Sequence, residues 1–260
     1  MACRPAGDVY ADFSAFYDLY VGEWLEDLPC YLEYARAARA PVVEIGAGTG
    51  RLTVPLARAG ISVVAVDSSA SMMARLEARL ASEPHDVRRR VQTLRADVCE
   101  LSLGTKHDLI LVPFYAFNYL LTPEAQHKAL AQLAAHLLPK GRLLIDVFVP
   151  YARIERCPSE PLLKVDTRDC RTGDRIRGWN AYSMDTQRQI ETRRHVFEVT
   201  PAAGSVIRTE FTTERRYSFP AELESQFAEA GLAIEQVSTG YDGRPPDARS
   251  EQLLYVLRQP

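Results

Sequence analysis

Short apolar runs alternate with amphipathic stretches over the first 150 residues of the chain. The apolar runs predict buried strands, and a helical periodicity in the intervening stretches predicts helices. Strands are expected at residues 41–45, 61–66, 91–95, 109–112 and 142–148, with helices at 10–20, 27–39, 51–58, 69–80 and 123–138. Strands that alternate with helices in this way are typical of a parallel sheet covered by helices on both faces.

The hydrophobic pattern then changes. Runs rich in β-forming residues occupy positions 174–182, 189–199 and 205–217, and they partly alternate between apolar and polar side chains. Such alternation indicates an antiparallel sheet with one solvated face. A helix at 219–230 and two closing strands at 233–239 and 252–257 are expected to follow. The pattern therefore predicts an α/β protein with a doubly wound, seven-stranded sheet and an antiparallel β insertion.

Composition and charge narrow the class of protein. The chain has 260 residues, 47% hydrophobic and 25% charged, which is typical of a soluble globular protein. Its 31 basic and 34 acidic side chains give a net charge of −3, which disfavours a protein that wraps nucleic-acid duplexes. We find neither the apolar segment of a signal peptide nor a run of the ~20 apolar residues that span a membrane. We expect a cytoplasmic protein without nucleic-acid or membrane partners, and the oligomeric state stays open.

Cysteine spacing suggests neither a disulfide framework nor a zinc cluster. The count is odd, and no two cysteines fall at a C-x-x-C spacing. The cysteines are Cys3, Cys30, Cys99, Cys157 and Cys170. Histidines and acidic residues likewise never fall at metal-ligand spacing. We expect isolated, reduced thiols and no bound metal.

The most informative segment is a glycine-rich turn after the first predicted strand. Residues 42–52 read Val-Val-Glu-Ile-Gly-Ala-Gly-Thr-Gly-Arg-Leu, with strand, turn and helix in that order. Glycines let the backbone approach a ligand closely, and the first strand–helix turn of a doubly wound sheet is a nucleotide site. The turn is not a dinucleotide fingerprint, because its third glycine comes one residue early and Arg51 takes that glycine's place. It also lacks the Lys-Ser/Thr pair of a P-loop.

The order Glu-x-Gly-x-Gly-x-Gly after a first strand resembles class I S-adenosylmethionine-dependent methyltransferases, which have a Rossmann-like sheet. Asp67 ends the second strand, 21 residues after Gly46, where a carboxylate can accept hydrogen bonds from both ribose hydroxyls. Asp97 ends the third strand, where the resemblance implies contact with the adenine amino group. Residues 139–143, Pro-Lys-Gly-Arg-Leu, match a turn of the family except that Arg142 replaces a glycine.

This resemblance implies S-adenosyl-L-methionine as the cofactor and a set of residues that bind it. The set is Tyr20, Glu44, Gly46, Ala47, Gly48, Asp67, Ser68, Met72, Asp97, Val98 and Phe114. Simpler roles stay open for some members. Asp67 can be a helix N-cap and Asp97 a loop acid. Glu44 is either a neighbour of the methionine amine or a carboxylate that fixes the loop backbone.

A finer resemblance covers most of the chain. Residues 16–20, 48–60 and 120–126 are similar to a small-molecule branch that includes sugar amine N-methyltransferases of antibiotic pathways. The resemblance implies a helical N-terminal lid at 1–40, a cofactor-binding core at 41–160 and 218–260, and a substrate-covering insertion at 161–217. Aromatic residues of the lid are then candidates to face the sulfonium, although their helical spacing is equally typical of a packed helix face. They are Tyr10, Phe13, Tyr17 and Tyr20.

One departure from these relatives concerns the segment after the fourth strand. Relatives often carry a histidine there, whereas this chain reads Pro-Phe-Tyr-Ala-Phe-Asn-Tyr-Leu from position 113, with Tyr119 at the histidine position. A phenol, with an ordinary pKa of about 10, is a poor base at neutral pH, but aromatic faces attract a sulfonium or an ammonium group. We predict Asn118, Tyr119 and Tyr151 as the catalytic or pocket residues.

Basic residues of the predicted insertion carry a weaker signal. His195 and the arginines Arg193, Arg194, Arg215 and Arg216 lie in its expected strands. We expect them on a solvated strand face, with binding of an anionic substrate by the arginines as the alternative.

Three functions fit this sequence. The first is methyl transfer to a small molecule of secondary metabolism. Its acceptor is expected to be an amine nitrogen, because a neutral amine needs positioning and desolvation but no strong base. The second is a cyclase in which the cofactor's amine attacks its own γ-carbon, so that azetidine-2-carboxylate forms and methylthioadenosine leaves. The third is a non-catalytic cofactor-binding module, which the intact glycine turn and acidic residues disfavour.

Overall fold

A computed structural model describes residues 8, 10–22, 24–169, 171–202 and 204–259. Its α-helices are α1 Ala11–Val21, α2 Leu28–Ala37, α3 Thr53–Arg58, α4 Ala70–Ala81, α5 His85–Arg88, α6 Pro123–Ala135, α7 Tyr151–Glu155 and α8 Pro220–Glu229. Its strands are β1 Val42–Ile45, β2 Val63–Asp67, β3 Val91–Arg95, β4 His107–Val112, β5 Leu137–Phe148, β6 Leu162–Arg168, β7 Arg175–Asp185, β8 Ile190–Thr200, β9 Ile207–Arg216, β10 Ala233–Ser238 and β11 Gln252–Arg258. Cys3 and Cys170, predicted to be isolated thiols, lie outside the described residues.

Seven strands form one sheet in the order β10–β11–β5–β4–β1–β2–β3. Strands β1 to β5 run parallel to one another, whereas β11 runs antiparallel to both β5 and β10. The predicted doubly wound, seven-stranded α/β fold is confirmed. Strand order reverses between β1 and β4, and α/β sheets bind ligands in the crevice at the carboxyl ends of strands at such a point.

The central strands are continuous apolar runs because helices cover both faces of the sheet. Every residue of β1 is buried, and β2 stays buried until Asp67 at its carboxyl end. On one face the core includes Leu130 of α6 and Phe227 of α8. On the other face it includes Tyr31 of α2 and Leu76 of α4. No helix of the described ranges is long and apolar enough to cross a membrane.

Two helices begin with a side-chain cap. The Ser69 side chain accepts a hydrogen bond from the Met72 backbone N–H at the start of α4. The Thr122 side chain accepts one from the Ala125 N–H, with Pro123 at the first position of α6. Both arrangements satisfy backbone donors that a helix N-terminus leaves without intrahelical partners.

Two differences from the predicted elements concern strands β5 and β6. Helix α6 ends at Ala135 and β5 begins at Leu137, so the turn expected at 139–141 lies inside β5, where Lys140 has a φ of 66°. The hydrophobic pattern does not reveal β6, because Val165 is its one buried residue.

The insertion is a four-stranded antiparallel sheet in the order β6–β7–β8–β9, which confirms the predicted antiparallel insertion. Side chains alternate between the two faces of a strand, so Glu191, Arg193, His195 and Phe197 of β8 share one face. That face is turned toward α1, since the Phe197 ring stacks on the Phe16 ring with their centroids 4.3 Å apart.

Helix α1 lies between the insertion and the seven-stranded sheet. Its Phe13 ring stacks on the His195 ring, with the centroids 4.8 Å apart, and also packs in one apolar cluster with Met72 of α4. Farther along α1, the Asp18 carboxylate accepts a hydrogen bond from the Thr49 hydroxyl of the glycine turn at 2.6 Å. The helix therefore touches both parts of the molecule.

Candidate active site

The glycine turn forms a cradle at the carboxyl end of β1. Gly46, Gly48 and Gly50 have φ values of 73°, 58° and 86°, in the left-handed region that favours glycine. A Cβ atom on Gly46 would lie 2.6 Å from the Cβ atom of Ala116. A side chain at that position would therefore collide with the segment that follows β4 and narrow the space between the two.

Asp67 holds this turn from the neighbouring strand. Its Oδ2 atom accepts a hydrogen bond from the Gly48 N–H at 2.9 Å, and its Oδ1 atom accepts one from the Ser69 N–H at 2.8 Å. Each carboxylate oxygen can accept a further bond. The side chain thus links the glycine turn to the start of α4 at the carboxyl end of β2.

A narrow pocket of about 30 Å³ lies beside Asp67, between the ends of β2 and β3. Ser68, Asp97 and Val98 line it, as the sequence predicts for neighbours of one ligand. The Asp97 Oδ1 atom accepts a hydrogen bond from the Cys99 N–H at 2.9 Å. This bond orients the carboxylate at the pocket, and its other oxygen is the group suited to accept from an amino group.

A larger cavity of about 300 Å³ opens on the other side of the turn. Helix α1, the segment after β4 and the inward face of the insertion contribute most of its lining. Its aromatic lining consists of Tyr10, Phe13, Tyr17, Tyr20, Phe114, Tyr115, Tyr119 and Phe148. Among the residues predicted from sequence, it brings together Tyr20, Gly46, Gly48, Asp67, Met72, Phe114 and Tyr119. Burial raises the pKa of the Tyr17 and Tyr20 phenols, so both stay protonated at neutral pH.

Two predicted cofactor residues lie beneath the glycine turn, away from either cavity wall. Glu44 is 1% exposed, and its Oε2 atom accepts a hydrogen bond from the Thr53 hydroxyl at 2.6 Å. Burial raises the pKa of this carboxyl to about 7. The Ala47 N–H donates to the Val66 carbonyl of β2 at 3.1 Å. Both residues support the turn in the structure, in line with the loop-fixing alternative for Glu44.

Two predicted catalytic residues also lie outside the cavity lining. Asn118 is buried, and its Nδ2 atom donates to the Arg216 carbonyl at 2.8 Å while its Oδ1 atom accepts from the Phe148 N–H at 3.2 Å. The amide therefore joins the backbone ends of β5 and β9 under the site. Tyr151 begins α7 and packs against Phe219, with the ring centroids 5.9 Å apart. Tyr119 alone of the predicted catalytic set lines the cavity.

A buried ion pair anchors the turn from below. Arg51, which stands where a dinucleotide fingerprint has glycine, donates from Nη1 and Nη2 to the two carboxylate oxygens of Asp27 at 2.8 and 2.5 Å. Asp27 is fully buried. The Arg51 guanidinium also lies over the rings of Phe114 and Trp24, 4.5 and 5.1 Å from the centroids. The arginine thereby ties the turn to the segment before α2.

The insertion contributes a cluster of charged residues that the sequence analysis places wrongly. Arg193 and Arg215 line the cavity instead of a solvated face, and both donate to the Oε1 atom of Glu191, at 2.8 and 2.6 Å. Arg153 of α7 donates to the Oε2 atom of the same carboxylate. Glu191 is fully buried, and three guanidinium groups share its carboxylate. Arg193 and Arg215 are largely buried, whereas a third of the Arg153 side chain is exposed.

Arg216 is also buried, which again corrects the expected solvated face. It points away from the cavity and pairs with Glu222 at 2.5 Å. Arg194 follows the expectation, with half of its side chain exposed. The strand alternates faces, so neighbouring arginines have opposite surroundings.

His195 is the imidazole that sequence reasoning misses. It is 1% exposed, lines the cavity, and shares a hydrogen bond of 2.9 Å with the Thr213 hydroxyl through Nε2. Burial, with a contribution from Arg193, lowers its pKa to about 3, so the ring is neutral at physiological pH. Residues 191, 193, 195 and 197 lie on one face of β8, and the apolar Phe197 marks that face as the buried one. This alternation is the sequence signal that places His195 on the inward face.

This histidine predicts a pH dependence of stability. Its pKa is about 3 in the folded protein and about 6.5 in the unfolded chain, so the unfolded state binds more protons between these values. The contribution of the neutral His195 ring to the free energy of unfolding is fully present above pH 6.5 and is lost as the pH falls toward 3. Relative to His195→Phe, the wild type should lose roughly 2 kcal/mol of unfolding free energy between pH 7.5 and 5. Urea unfolding at both pH values measures this difference, and a difference that does not change with pH would contradict it.

In the described part of the chain, no three His, Cys, Asp or Glu side chains are grouped so as to hold a metal ion. The site is instead a glycine cradle on β1, a carboxylate at the end of β2 and a second acid after β3, next to an aromatic cavity. Gly46 and Gly48 leave room for a ligand, and the two acids offer acceptors to a diol and an amino group. This arrangement fits S-adenosylmethionine and defines the class of S-adenosylmethionine-dependent methyltransferases.

Comparisons with known proteins agree with that class. Residues 42–141 match the family model described as a methyltransferase domain. The chain is 26% identical over 218 residues to the cypemycin N-terminal methyltransferase of Streptomyces sp, an alignment that covers 84% of this chain and 82% of that protein.

Two solved structures have the same fold. The CcbJ methyltransferase of Streptomyces caelestis is 26% identical, with a TM-score of 0.79 over 100% of this chain and 99% of its own. CalS10 of Micromonospora echinaspora is an amino pentose methyltransferase involved in calicheamicin biosynthesis, solved with S-adenosylmethionine bound. It is 20% identical, with a TM-score of 0.72, and the match covers 95% of this chain and 97% of that one. The protein is a class I S-adenosylmethionine-dependent methyltransferase of the small-molecule type.

Proposed function

We propose that the protein transfers the methyl group of S-adenosylmethionine to an amine nitrogen of a small molecule in a biosynthetic pathway of secondary metabolism. The observation that most directly supports this proposal is one continuous cavity, which runs from the glycine turn and Asp67 to the arginines of the insertion. The cavity therefore joins the residues proposed for the cofactor to charged groups on a separate sheet. Two similar proteins, the cypemycin N-terminal methyltransferase and an amino pentose methyltransferase, support nitrogen as the acceptor.

The residues that would hold the cofactor follow from their positions. Asp67 would accept hydrogen bonds from the ribose hydroxyls, and Asp97 would accept one from the adenine amino group. Gly46 and Gly48 would allow the protein backbone to approach the cofactor closely. When bound, the cofactor supplies an activated methyl group on a sulfonium. The aromatic rings of Tyr17 and Phe114 line the cavity, and aromatic π faces attract a cation by roughly 0.5–2 kcal/mol each.

The chemistry of the cavity lining favours an amine as the methyl acceptor over a phenol or a carbon acid. His195 has a pKa of about 3, and the phenols of Tyr17 and Tyr20 have raised pKa values, so none of these rings is a base poised near neutral pH. A phenol or carbon acid needs such a base, whereas an amine bound in its neutral form does not. The buried aromatic walls contribute instead by excluding water and fixing the acceptor's approach.

The cyclase in which the cofactor alone reacts is the competing outcome. Purified protein is incubated with S-adenosylmethionine alone, then with a library of small primary and secondary amines, and the products are identified by mass spectrometry. We expect no consumption of the cofactor alone, and S-adenosylhomocysteine together with an N-methylated amine once the library is added. Formation of methylthioadenosine and azetidine-2-carboxylate without any amine would overturn the proposal, and cofactor binding without any product would indicate the non-catalytic module.

A further inference from the structure

We propose that Arg153, Arg193 and Arg215 bind an anionic group of the acceptor, a carboxylate or a phosphate. We call these three side chains, with Glu191 at their centre, the arginine cluster. The inference rests on the proposed methyl transfer to an external amine and names the second chemical group that such an amine must carry. The acceptor is then an amine that also bears a negative charge, such as an amino acid or a phosphorylated amine.

The first argument is the charge balance of the cluster. Glu191 is fully buried and contacts all three guanidinium groups, so the cluster has an excess of two positive charges. Arg193 and Arg215 have 13% and 6% of their side chains exposed, whereas Arg153 at the edge of the cluster has 33% exposed. Glu251 also lines the cavity and brings a negative charge, but it forms no ion pair with any of the three arginines, and one of its carboxylate oxygens accepts from the Ala152 N–H. Uncompensated charge in a place shielded from water is costly unless a partner neutralises it. An anion that enters the cavity supplies that partner.

The second argument is an unused donor. Arg215 has 6% of its side chain exposed, and its Nε atom has no hydrogen-bond partner among the described residues. Its guanidinium lies 3.7 Å over the Phe148 ring, which fixes the plane of the fork at the cavity wall. A guanidinium held in this way presents its remaining N–H groups in the geometry that carboxylate and phosphate oxygens match.

The third argument concerns the position of the cluster. Arg193 and Arg215 stand on β8 and β9 of the insertion, whereas Asp67 and the glycine turn stand on strands of the seven-stranded sheet. Arg193 also donates from Nη1 to the Tyr20 hydroxyl at 3.2 Å, beside the cavity. The cluster and the proposed cofactor residues thus line one cavity from two different sheets. We assign the cluster to a second molecule, and binding of S-adenosylhomocysteine tests this against the cofactor's own carboxylate.

The test compares two buried arginines that are adjacent in sequence. Arg215→Gln removes a member of the cluster, and Arg216→Gln is its control, because Arg216 is equally buried and carboxylate-paired but lies outside the cavity. Calorimetric titration with S-adenosylhomocysteine comes first. We expect both variants to bind it within about twofold of the wild type. A loss of about tenfold or more in Arg215→Gln alone would assign the cluster to the cofactor's carboxylate and overturn the proposal.

Anion binding is then measured without any turnover. The protein saturated with S-adenosylhomocysteine is titrated with inorganic phosphate and, separately, with acetate, at constant ionic strength. We expect saturable binding of one of the two anions by the wild type and by Arg216→Gln, and binding weaker by about tenfold or more in Arg215→Gln. The anion that binds more tightly identifies the source as phosphate or carboxylate. No saturable binding of either anion, or equal binding by all three proteins, would overturn the proposal.

Turnover separates this proposal from the proposed function. Amines are offered with S-adenosylmethionine in matched pairs, each amino acid beside its amide and each phosphorylated amine beside its alcohol. Preferential methylation of the anionic members, lost in Arg215→Gln, supports the subsite. Equal methylation of both members by the wild type overturns the subsite but leaves amine methylation intact. Arg215-dependent anion binding with no methylated amine retains the subsite and refutes the proposed function.

Discussion

Replacing Asp67 by alanine is expected to lower the affinity for S-adenosylhomocysteine by about 100-fold or more. The substitution removes the acceptors proposed for the ribose hydroxyls. It also releases the Gly48 and Ser69 N–H groups, which the carboxylate holds at 2.9 and 2.8 Å, so the glycine turn loses its fixed shape. Each hydrogen bond to a charged group contributes about 1.5–3 kcal/mol, and two such losses account for the expected factor. Isothermal titration calorimetry measures the affinity directly.

The matched control for this variant is Asp108→Ala. Asp108 also accepts from two backbone N–H groups, those of Arg39 and Ala40, at 2.8 and 3.0 Å. It lies near the amino end of β4, whereas Asp67 lies at the carboxyl end of β2. We expect Asp108→Ala to retain the wild-type affinity. Equal losses in both variants would indicate a general loss of fold, and an unchanged affinity in Asp67→Ala would remove this residue from the cofactor site.

Replacing Arg51 by methionine is expected to lower the free energy of unfolding by about 3–5 kcal/mol. Asp27 is fully buried, and without the arginine its carboxylate would stay in a dry environment with no countercharge. The substitution also removes the cation from the Phe114 and Trp24 rings. Urea unfolding followed by circular dichroism measures the change.

The double variant Asp27→Leu/Arg51→Met tests the cause of that loss. It removes both charges, and a buried ion pair replaced by apolar side chains is often neutral or stabilising. We expect its unfolding free energy to return to within about 1 kcal/mol of the wild type. A double variant as unstable as Arg51→Met would mean that the arginine acts through its contacts with the Trp24 carbonyl and the rings rather than through Asp27.

The sequence was informative where function depends on strand ends. Asp67 and Asp97 follow short apolar runs, and in a parallel sheet the carboxyl ends of neighbouring strands meet at one edge. Local pattern therefore sufficed to place both acids beside the glycine turn, where the structure has them. The helix starts at Ser69 and Thr122 were equally predictable, because a cap depends on residues only three positions apart.

The insertion was harder to predict because its inward face is polar. Arg193 and His195 alternate with outward residues as buried side chains do, but hydrophobicity is the usual sign of burial, and these two face a cavity instead of an apolar core. Asn118 illustrates a second limit. Its partners Phe148 and Arg216 are 30 and 98 residues away, so no local pattern indicates that its amide is used to join two strands.

Helix α1 has a consequence for how the binding of one ligand affects the affinity for the other. Through Asp18 it contacts the glycine turn, and through Phe13 and Tyr20 it contacts the insertion beside the arginine cluster. A ligand that favours the docked position of α1 at one end of the cavity also prepares the other end. Such coupling is reciprocal, so the factor by which the cofactor raises acceptor affinity equals the factor by which the acceptor raises cofactor affinity. We therefore expect the cofactor and the acceptor to bind cooperatively through contacts of this helix.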